Sequence, residues 1–157
     1  MEAFPLRLAP ETDLRTSLES AVAARSGHAA FVISGIGSLS HARLRLAGAT
    51  EPAILHGDLE ILTLAGTVAV NGSHLHMSVS DSKGHVTGGH VASGCIVRTT
   101  AEVLLVLLSE WSFARELDPV TGFAELVVLP LVPELDYIGI NARQISTLPR
   151  RRIFRIL

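Results

Sequence analysis

Residues 71–90 read Asn-Gly-Ser-His-Leu-His-Met-Ser-Val-Ser-Asp-Ser-Lys-Gly-His-Val-Thr-Gly-Gly-His and contain four of the seven histidines of the chain. Polar and apolar residues alternate from Ser73 to Ser80, which is the period of a half-buried β-strand. The next residues, Asp81 to Gly84, are typical of a turn, in which glycine adopts the left-handed conformation at the least cost. The segment therefore predicts a β-hairpin with a three-residue loop and a bulge at Gly84.

The length of this loop fixes which residues face each other across the hairpin. With a three-residue loop, His76 lies opposite His90, and opposed side chains share a face with Cβ atoms roughly 4.5–5.5 Å apart. His74 lies two positions from His76 and points to the same side. A two-residue loop would turn His90 toward the core instead, and Gly84 favours the longer loop. The opposite face then carries apolar residues that we expect in the core: Leu75, Met77, Val79 and Val91.

Three imidazoles converging from two adjacent strands predict a metal site at His74, His76 and His90, with a fourth position open to water or another ligand. Zinc is the first expectation, although neutral imidazole also suits other divalent transition metals such as Cu, Ni and Fe. The alternative is a set of surface or interface histidines that hydrogen-bond to serines and backbone. The third histidine, which the turn brings in after Gly88-Gly89, favours the metal site.

Composition predicts one globular domain that is large enough for a core without disulfides. The chain has 157 residues, 48% hydrophobic and 18% charged, with a single cysteine, Cys95. One cysteine fits a reducing compartment, no apolar run reaches the ~18 residues of a membrane span, and the N-terminus lacks the pattern of a signal peptide. These features predict a cytoplasmic protein with no membrane partner. We expect the domain to cover residues 1–130, followed by a basic tail over 131–157.

Charge is unevenly distributed along the chain. There are 13 Lys and Arg residues against 15 Asp and Glu residues, and five of the arginines lie in residues 141–157, which contain no acid. The rest of the chain is therefore acidic and a poor electrostatic partner for nucleic acid, since that binding relies on basic side chains at the phosphates. If DNA is a partner, the expected contacts are Arg150, Arg151 and Arg152 in the tail.

Before the hairpin, the pattern predicts a helix, a turn and a long bulged strand. Thr12 or Asp13 can cap a helix running to about Ser26, and residues 35–38 (Gly-Ile-Gly-Ser) are expected to form a tight turn. In the strand from Asp58 to Val70 the apolar residues switch from odd-numbered to even-numbered positions. This switch predicts a bulge near Ile61 or at Ala65-Gly66 that keeps Leu62 and Val70 on the core side.

Two further segments matter for the register and the fold class. Asn71-Gly72 predicts a two-residue hairpin turn, which would pair Thr67 with His76. The run from Thr99 to Leu108 is ambiguous between a capped helix and a buried strand, and the pattern alone favours a helix.

The chain also resembles a known family, the plants-and-prokaryotes-conserved (PPC) domain, over about residues 4–129. The matching motifs are PETDL (10–14), GIGSL (35–39), EILTLAG (60–66), HLH (74–76), Gly84, GGH (88–90), Gly94, TAEV (100–103) and FxR (113–115). The resemblance implies an α+β subunit with a largely antiparallel β-sheet and a flanking helix, assembled as a homotrimer. It also implies a strand, rather than a helix, for residues 100–108.

Plant members of this family carry AT-hook motifs and bind DNA, and stand-alone bacterial members are named DNA-binding by kinship. An AT-hook needs a Gly-Arg-Pro core among basic residues, because only a slim backbone and arginines fit a narrow minor groove. This chain has no such core, and its Pro149-Arg-Arg-Arg152 segment lacks the glycine. His74, His76 and His90 match the positions where metal-binding members would hold their ion.

Three functional interpretations follow from the sequence. The first is a homotrimeric, transcription-associated DNA-binding module that carries the three-histidine pocket. The second is a zinc hydrolase-like enzyme or ligand-sensing module without DNA contact, for which Glu60 or Glu102 of a neighbouring subunit is the only carboxylate available near the metal. The third is a structural trimer whose histidines merely line a pocket.

Overall fold

The computed structural model of the protein describes residues 1–131. The elements are β1 (Glu2–Leu8), α1 (Leu14–Ala23), β2 (Ala29–Arg45), β3 (Ala53–Ala69), β4 (Gly72–Ser80), β5 (Val86–Val91), β6 (Ile96–Leu107), β7 (Trp111–Leu117) and β8 (Ala124–Pro130). The predicted basic tail, with Arg150, Arg151 and Arg152, lies outside these residues, so the division into residues 1–130 and 131–157 stays a prediction.

The fold is predominantly antiparallel β-sheet with one short helix, which agrees with the sheet expected from the resemblance. Six strands form one sheet in the order β1-β6-β2-β3-β4-β5. The last residues of β2 also pair with β5, through Leu44 with Val91 and Arg45 with His90. This second pairing closes β2, β3, β4 and β5 into a small barrel, so that the histidine-bearing strand β5 has a partner on each side.

The core fills this barrel and the space beneath α1. Alternate residues of each strand point inward, as the period of a strand requires. The largest fully buried side chains are Leu14, Leu18, Leu39, Leu44, Leu64, Leu75, Leu105, Val32, Val68, Val79, Val91 and Val97. The four residues expected in the core opposite the histidines, Leu75, Met77, Val79 and Val91, are all buried.

Helix α1 starts where the sequence predicted and ends earlier. Asp13 is the N-cap, and its Oδ1 accepts a hydrogen bond from the backbone N–H of Thr16 at 2.8 Å. The helix ends at Ala23 rather than near Ser26, because Ser26 has a left-handed φ of 52°. At ten residues it is too short and too polar to cross a membrane.

The β4–β5 hairpin has the predicted loop and register. Asp81 N donates to His85 O at 3.0 Å, and Gly84 N donates to Asp81 O at 3.0 Å. Gly84 has a φ of 82°, the left-handed conformation that closes a three-residue loop. His76 therefore pairs with His90, and both lie on the face opposite the core.

The β3–β4 turn differs from the expected Asn71-Gly72 turn. Ala69 pairs with Gly72 and Thr67 pairs with His74, so the turn residues are Val70 and Asn71 and the predicted pairing of Thr67 with His76 was wrong by two positions. The reason is tertiary: the Asn71 side chain exchanges two hydrogen bonds with the backbone of Arg115 in β7, at 2.8 and 2.9 Å. A shift of two keeps every side chain on its expected face.

The bulge in β3 is confirmed, but its residue points outward. Ile61 pairs with Val79 while Thr63 pairs with Ser78, which makes Leu62 the extra residue. The expectation that Leu62 and Val70 face the core was wrong, since their side chains are 48% and 58% exposed. Leu62 is the extra residue of the bulge and is exposed, and because of the bulge Leu64 points into the core.

Two other segments that were expected to interrupt the strands continue them instead. Residues 35–38 lie within the continuous strand β2, so the predicted tight turn there is wrong. Residues 99–107 belong to β6, as the resemblance implied and the pattern did not. Strand is favoured because β6 lies between β1 and β2, where Ala101, Val103 and Leu105 alternate into the core.

Strands β7 and β8 form a separate two-stranded sheet. Phe113 of β7 is buried against Ala29 and Ala69, and its ring makes an edge-to-face contact with Phe31 at 5.6 Å between centroids. This contact places the second sheet over the outer face of the main sheet, beside the histidines.

Replacement of Gly66 by alanine should destabilise the protein because β3 and β4 approach closely there. A Cβ at Gly66 would lie 2.1 Å from His74 O and 2.8 Å from Leu75 Cα, whereas one at Gly57 would meet nothing within 4 Å. Both glycines have positive φ, so both variants share the backbone strain, of roughly 1–3 kcal/mol. The clash should cost Gly66→Ala about 1–3 kcal/mol more than Gly57→Ala.

Urea unfolding of the two variants measures this difference. Equal losses of unfolding free energy would mean that the close approach of β3 to the His74 backbone does not constrain the fold.

Candidate metal centre

The three histidines predicted to converge do so on the outer face of β4 and β5. His74 Nε2 and His76 Nε2 are 2.9 Å apart, and one ring nitrogen from each of the three residues lies within 4.8 Å of the others. The His90 ring is edge-on to the other two, with centroids 5.0 Å from His74 and 5.7 Å from His76. The imidazoles thus point toward one common space.

This spacing is close to that of a zinc site. Zn–N bonds of about 2.0–2.1 Å in a tetrahedron separate the ligand nitrogens by roughly 3.3 Å. The observed separations bracket that value, so small side-chain rotations suffice to place all three nitrogens around one ion. The side chains are also accessible enough for an ion to enter, since His76 is exposed and the other two are half-buried.

His90 carries a buried polar atom without a protein partner. Its Nδ1 is inaccessible to solvent and makes no hydrogen bond with any of the described residues. Leaving a buried polar atom unsatisfied costs about 1–3 kcal/mol. An ordered water or an ion that reaches Nδ1 would supply the missing partner, and the donor set of three imidazoles fits a divalent transition metal.

The environment of His74 and His90 favours the neutral imidazole, which is the form that binds metal. Burial is the largest cause, followed by the nearby His74 and Arg45, and together they lower the pKa of His90 to about 4. Burial likewise lowers the pKa of His74, with the Arg115 guanidinium as the next cause. Protons therefore compete weakly for at least two of the three ligands at neutral pH.

Helix α1 fixes the chain next to two of the ligands. Arg15 donates from Nη1 to Val91 O and from Nη2 to Ser73 O, both at 3.0 Å, and these residues directly adjoin His90 and His74. Glu19 Oε1 accepts from both the backbone N–H and the hydroxyl of Ser73. Arg15 and Glu19 are thus positioning residues, and their i, i+4 spacing in the sequence was the signal that could have suggested them.

Strand β7 supports the site from the other side. Arg115 donates from Nη2 to the hydroxyl of Thr67, the residue paired with His74, while its backbone is held by Asn71. The Nε of Arg115 is buried without a hydrogen-bond partner among residues 1–131. Its positive charge faces His74. In the sequence Arg115 stands out only as part of the FxR motif, and no local pattern connects it to the histidines.

A cleft of about 770 Å³ opens beside the three rings. Its remaining walls come from the end of β2, the glycines of β5 and the start of β8: Arg45, Leu46, Ala47, Gly88, Gly89, Phe123, Ala124 and Glu125. The volume lies in the range of small-molecule sites. Arg45 and Glu125 give the cleft its charges, and no sequence signal pointed to either.

The carboxylates predicted from the sequence are elsewhere in the subunit. Glu60 is exposed and pairs with Ser80, at the opposite end of β4 from His74. Glu102 is exposed on β6, where it pairs with Arg7 and Ile36. Neither reaches the histidines within one chain, and a role across a subunit boundary stays a prediction. The carboxylate that the fold does bring to the cleft is Glu125.

Comparison with known proteins identifies relatives over most of the chain. Two curated relatives, both named bifunctional protein GlmU, come from Synechococcus strains JA-2-3B'a(2-13) and JA-3-3Ab and are 44% and 45% identical over 83% and 80% of this chain. Those matches cover 21% and 20% of the relatives, so the chain spans about a fifth of their length.

Solved structures share the fold. A hypothetical protein from Salmonella enterica is 34% identical with a TM-score of 0.80, over 83% of this chain and 95% of that one. A metal-containing protein from Archaeoglobus fulgidus is 29% identical with a TM-score of 0.68, over 80% of this chain and 92% of that one. The profile of the Plants and Prokaryotes Conserved domain matches residues 1–109, and the chain therefore belongs to this family, the PPC domain that its motifs resemble.

Proposed function

We propose that this chain is a metal-binding module that holds one divalent transition metal, most simply Zn²⁺, at His74, His76 and His90. The observation that carries the proposal is the convergence of three ring nitrogens within 4.8 Å on the outer face of one hairpin. The relative from Archaeoglobus fulgidus, 29% identical over most of its length, is described as metal-containing, which supports a metal here. Bound zinc would supply a Lewis acid and an acidified water.

We also propose that the module works as a homotrimer, as the family resemblance implies. The outer face of the main sheet supports association, because several large apolar side chains there are partly or mostly exposed: Phe31, Ile33, Ile36 and Leu104. Ile36 and Leu104 line one groove together, and exposed apolar patches mark interaction sites in proteins. The occupant that fits the proposal is a second copy of this chain, which in a closed trimer contacts this face with a different part of its own surface.

A second candidate function is that of a metal-dependent hydrolase-like enzyme. The observation that favours it is Glu125, a carboxylate that lines the same cleft as the histidines. A general base must lie within direct or water-mediated reach of the reacting group. Glu125 lines this cleft within one chain, whereas Glu60 or Glu102 would have to come from a neighbouring subunit.

For DNA binding, we propose only that the basic tail makes the contacts. The family kinship suggests it, while the described residues offer no run of basic side chains comparable to Arg150, Arg151 and Arg152. If these arginines neutralise phosphates, binding must depend steeply on salt.

Purified protein should bind one zinc ion per chain, and His76→Ala should weaken that binding at least about 100-fold. Loss of a residue that only hydrogen-bonds to a metal ligand typically lowers metal affinity about 10–100-fold. Because His76 is itself a proposed ligand, its loss should cost at least as much. Competition with a chromophoric chelator measures the affinity. The matched control is His85→Ala, since His85 lies on the same hairpin but pairs with Asp81 away from the cleft.

Light scattering on the same samples should give the mass of three chains for wild type and both variants. Zinc binding by His76→Ala equal to that of wild type, or no binding by wild type, would contradict the metal site. A monomeric mass would contradict the trimer.

Metal-free protein should lose stability as the pH falls from about 6.5 toward 4. The pKa of His90 is about 4 in the folded chain, against an ordinary value of 6.5. Between pH 6.5 and 4, His90 is therefore protonated in the unfolded state but stays neutral in the folded state. The stabilisation is thus complete above pH 6.5 and is lost on acidification. The urea midpoint should decrease more between pH 7.5 and pH 4.5 for wild type than for His90→Gln. Equal decreases in the two proteins would contradict this prediction.

DNA binding, if present, should fall roughly 40-fold between 50 and 200 mM salt, as expected for three neutralised phosphates. Replacing Arg150, Arg151 and Arg152 together by glutamine should remove both the binding and its salt dependence in a fluorescence anisotropy titration. Unchanged binding by that variant would exclude the tail as the DNA contact.

A further inference from the structure

We infer that the cleft beside the histidines binds a small molecule through an oxyanion, a carboxylate or a phosphate group, which Arg45 contacts next to the metal. The inference rests on the proposed metal site and names the chemistry of its ligand. Arg45 and the three histidines line the same cleft of about 770 Å³, which has room for a small molecule in addition to the ion.

The strand pairing fixes Arg45 next to the metal ligands. Arg45 is the last residue of β2 and pairs directly with His90 of β5. Opposed residues of antiparallel strands share a face, with Cβ atoms roughly 4.5–5.5 Å apart. Gly89 permits this approach, since a Cβ there would lie 2.8 Å from Arg45 O. The guanidinium therefore extends from the same face as the His90 ring.

Among the described residues, the Arg45 guanidinium has no hydrogen-bond acceptor, unlike the other arginines near the site. Arg15, Arg43 and Arg115 each donate to a backbone carbonyl or a hydroxyl. Within residues 1–131, the half-buried side chain of Arg45 makes no hydrogen bond or ion pair. A partly buried guanidinium with five unused donors is suited to bind a planar or tetrahedral oxyanion with two parallel hydrogen bonds.

The charges around the cleft favour an anion once the ion is present. A divalent cation and Arg45 in the cleft, with Arg115 behind His74, outweigh the one carboxylate that lines it, Glu125. Glu125 Oε1 accepts from the Thr121 hydroxyl at 3.1 Å and forms no ion pair with Arg45. The open position on a three-histidine metal gives one oxygen of the anion a second contact.

Cobalt-substituted protein provides the test, because its visible spectrum reports changes at the metal. Cobalt content is measured first for wild type, Arg45→Gln and Arg98→Gln, and each protein is then titrated with acetate and with inorganic phosphate. Arg98 is the matched control, since it lies on β6 and pairs with the exposed Asp58. We expect one of the two anions to bind wild type and Arg98→Gln alike, and Arg45→Gln about tenfold or more weakly.

The outcomes separate the two proposals. The anion that binds more tightly assigns the ligand class as carboxylate or phosphate. Full cobalt content without a spectral response to either anion, or equal binding by Arg45→Gln and wild type, overturns the anion site and leaves the metal site standing. Wild-type protein that takes up no cobalt overturns both. Glu125→Gln gives a further check, because removal of its charge should tighten binding of the anion.

Discussion

The period-two alternation of β4, locked by the core, is the constraint on which the rest of this structure depends. Leu75, Met77 and Val79 are buried on one face, so a slip of one position would expose all three and bury the histidines. The loop closed by Gly84 transfers this register to β5 and sets His90 opposite His76. The burial of aliphatic side chains on one face thus sets the geometry of a polar site on the other.

The elements around the hairpin stiffen the site and set its charge. Helix α1 holds the backbone next to His74 and His90 through Arg15, and β7 brings Arg115 against Thr67. Burial and these positive charges lower the pKa values of His74 and His90, and the same charges favour an anion in the adjoining cleft. The proposed metal binding and the proposed anion binding would both follow from one arrangement, in which an arginine on each side lies near the cluster of imidazoles.

The relatives place this arrangement in a wider context. The curated relatives from Synechococcus contain the region that matches this chain as about a fifth of their length. Within the described residues the candidate site is built from one hairpin and its immediate neighbours. The site needs no residue from beyond the described region to bring its three imidazoles together.

Local pattern and turn chemistry were enough to predict the β4–β5 hairpin, its register, the Asp13 cap and the three converging histidines, because each depends on residues close together in the chain. Contacts between distant segments explain the failures. Asn71 bonds to β7 and moves the β3–β4 turn by two positions, and β6 is a strand because β1 and β2 enclose it. Arg45, Arg115 and Glu125 reach the site only through strand pairings and sheet packing, which no local periodicity records.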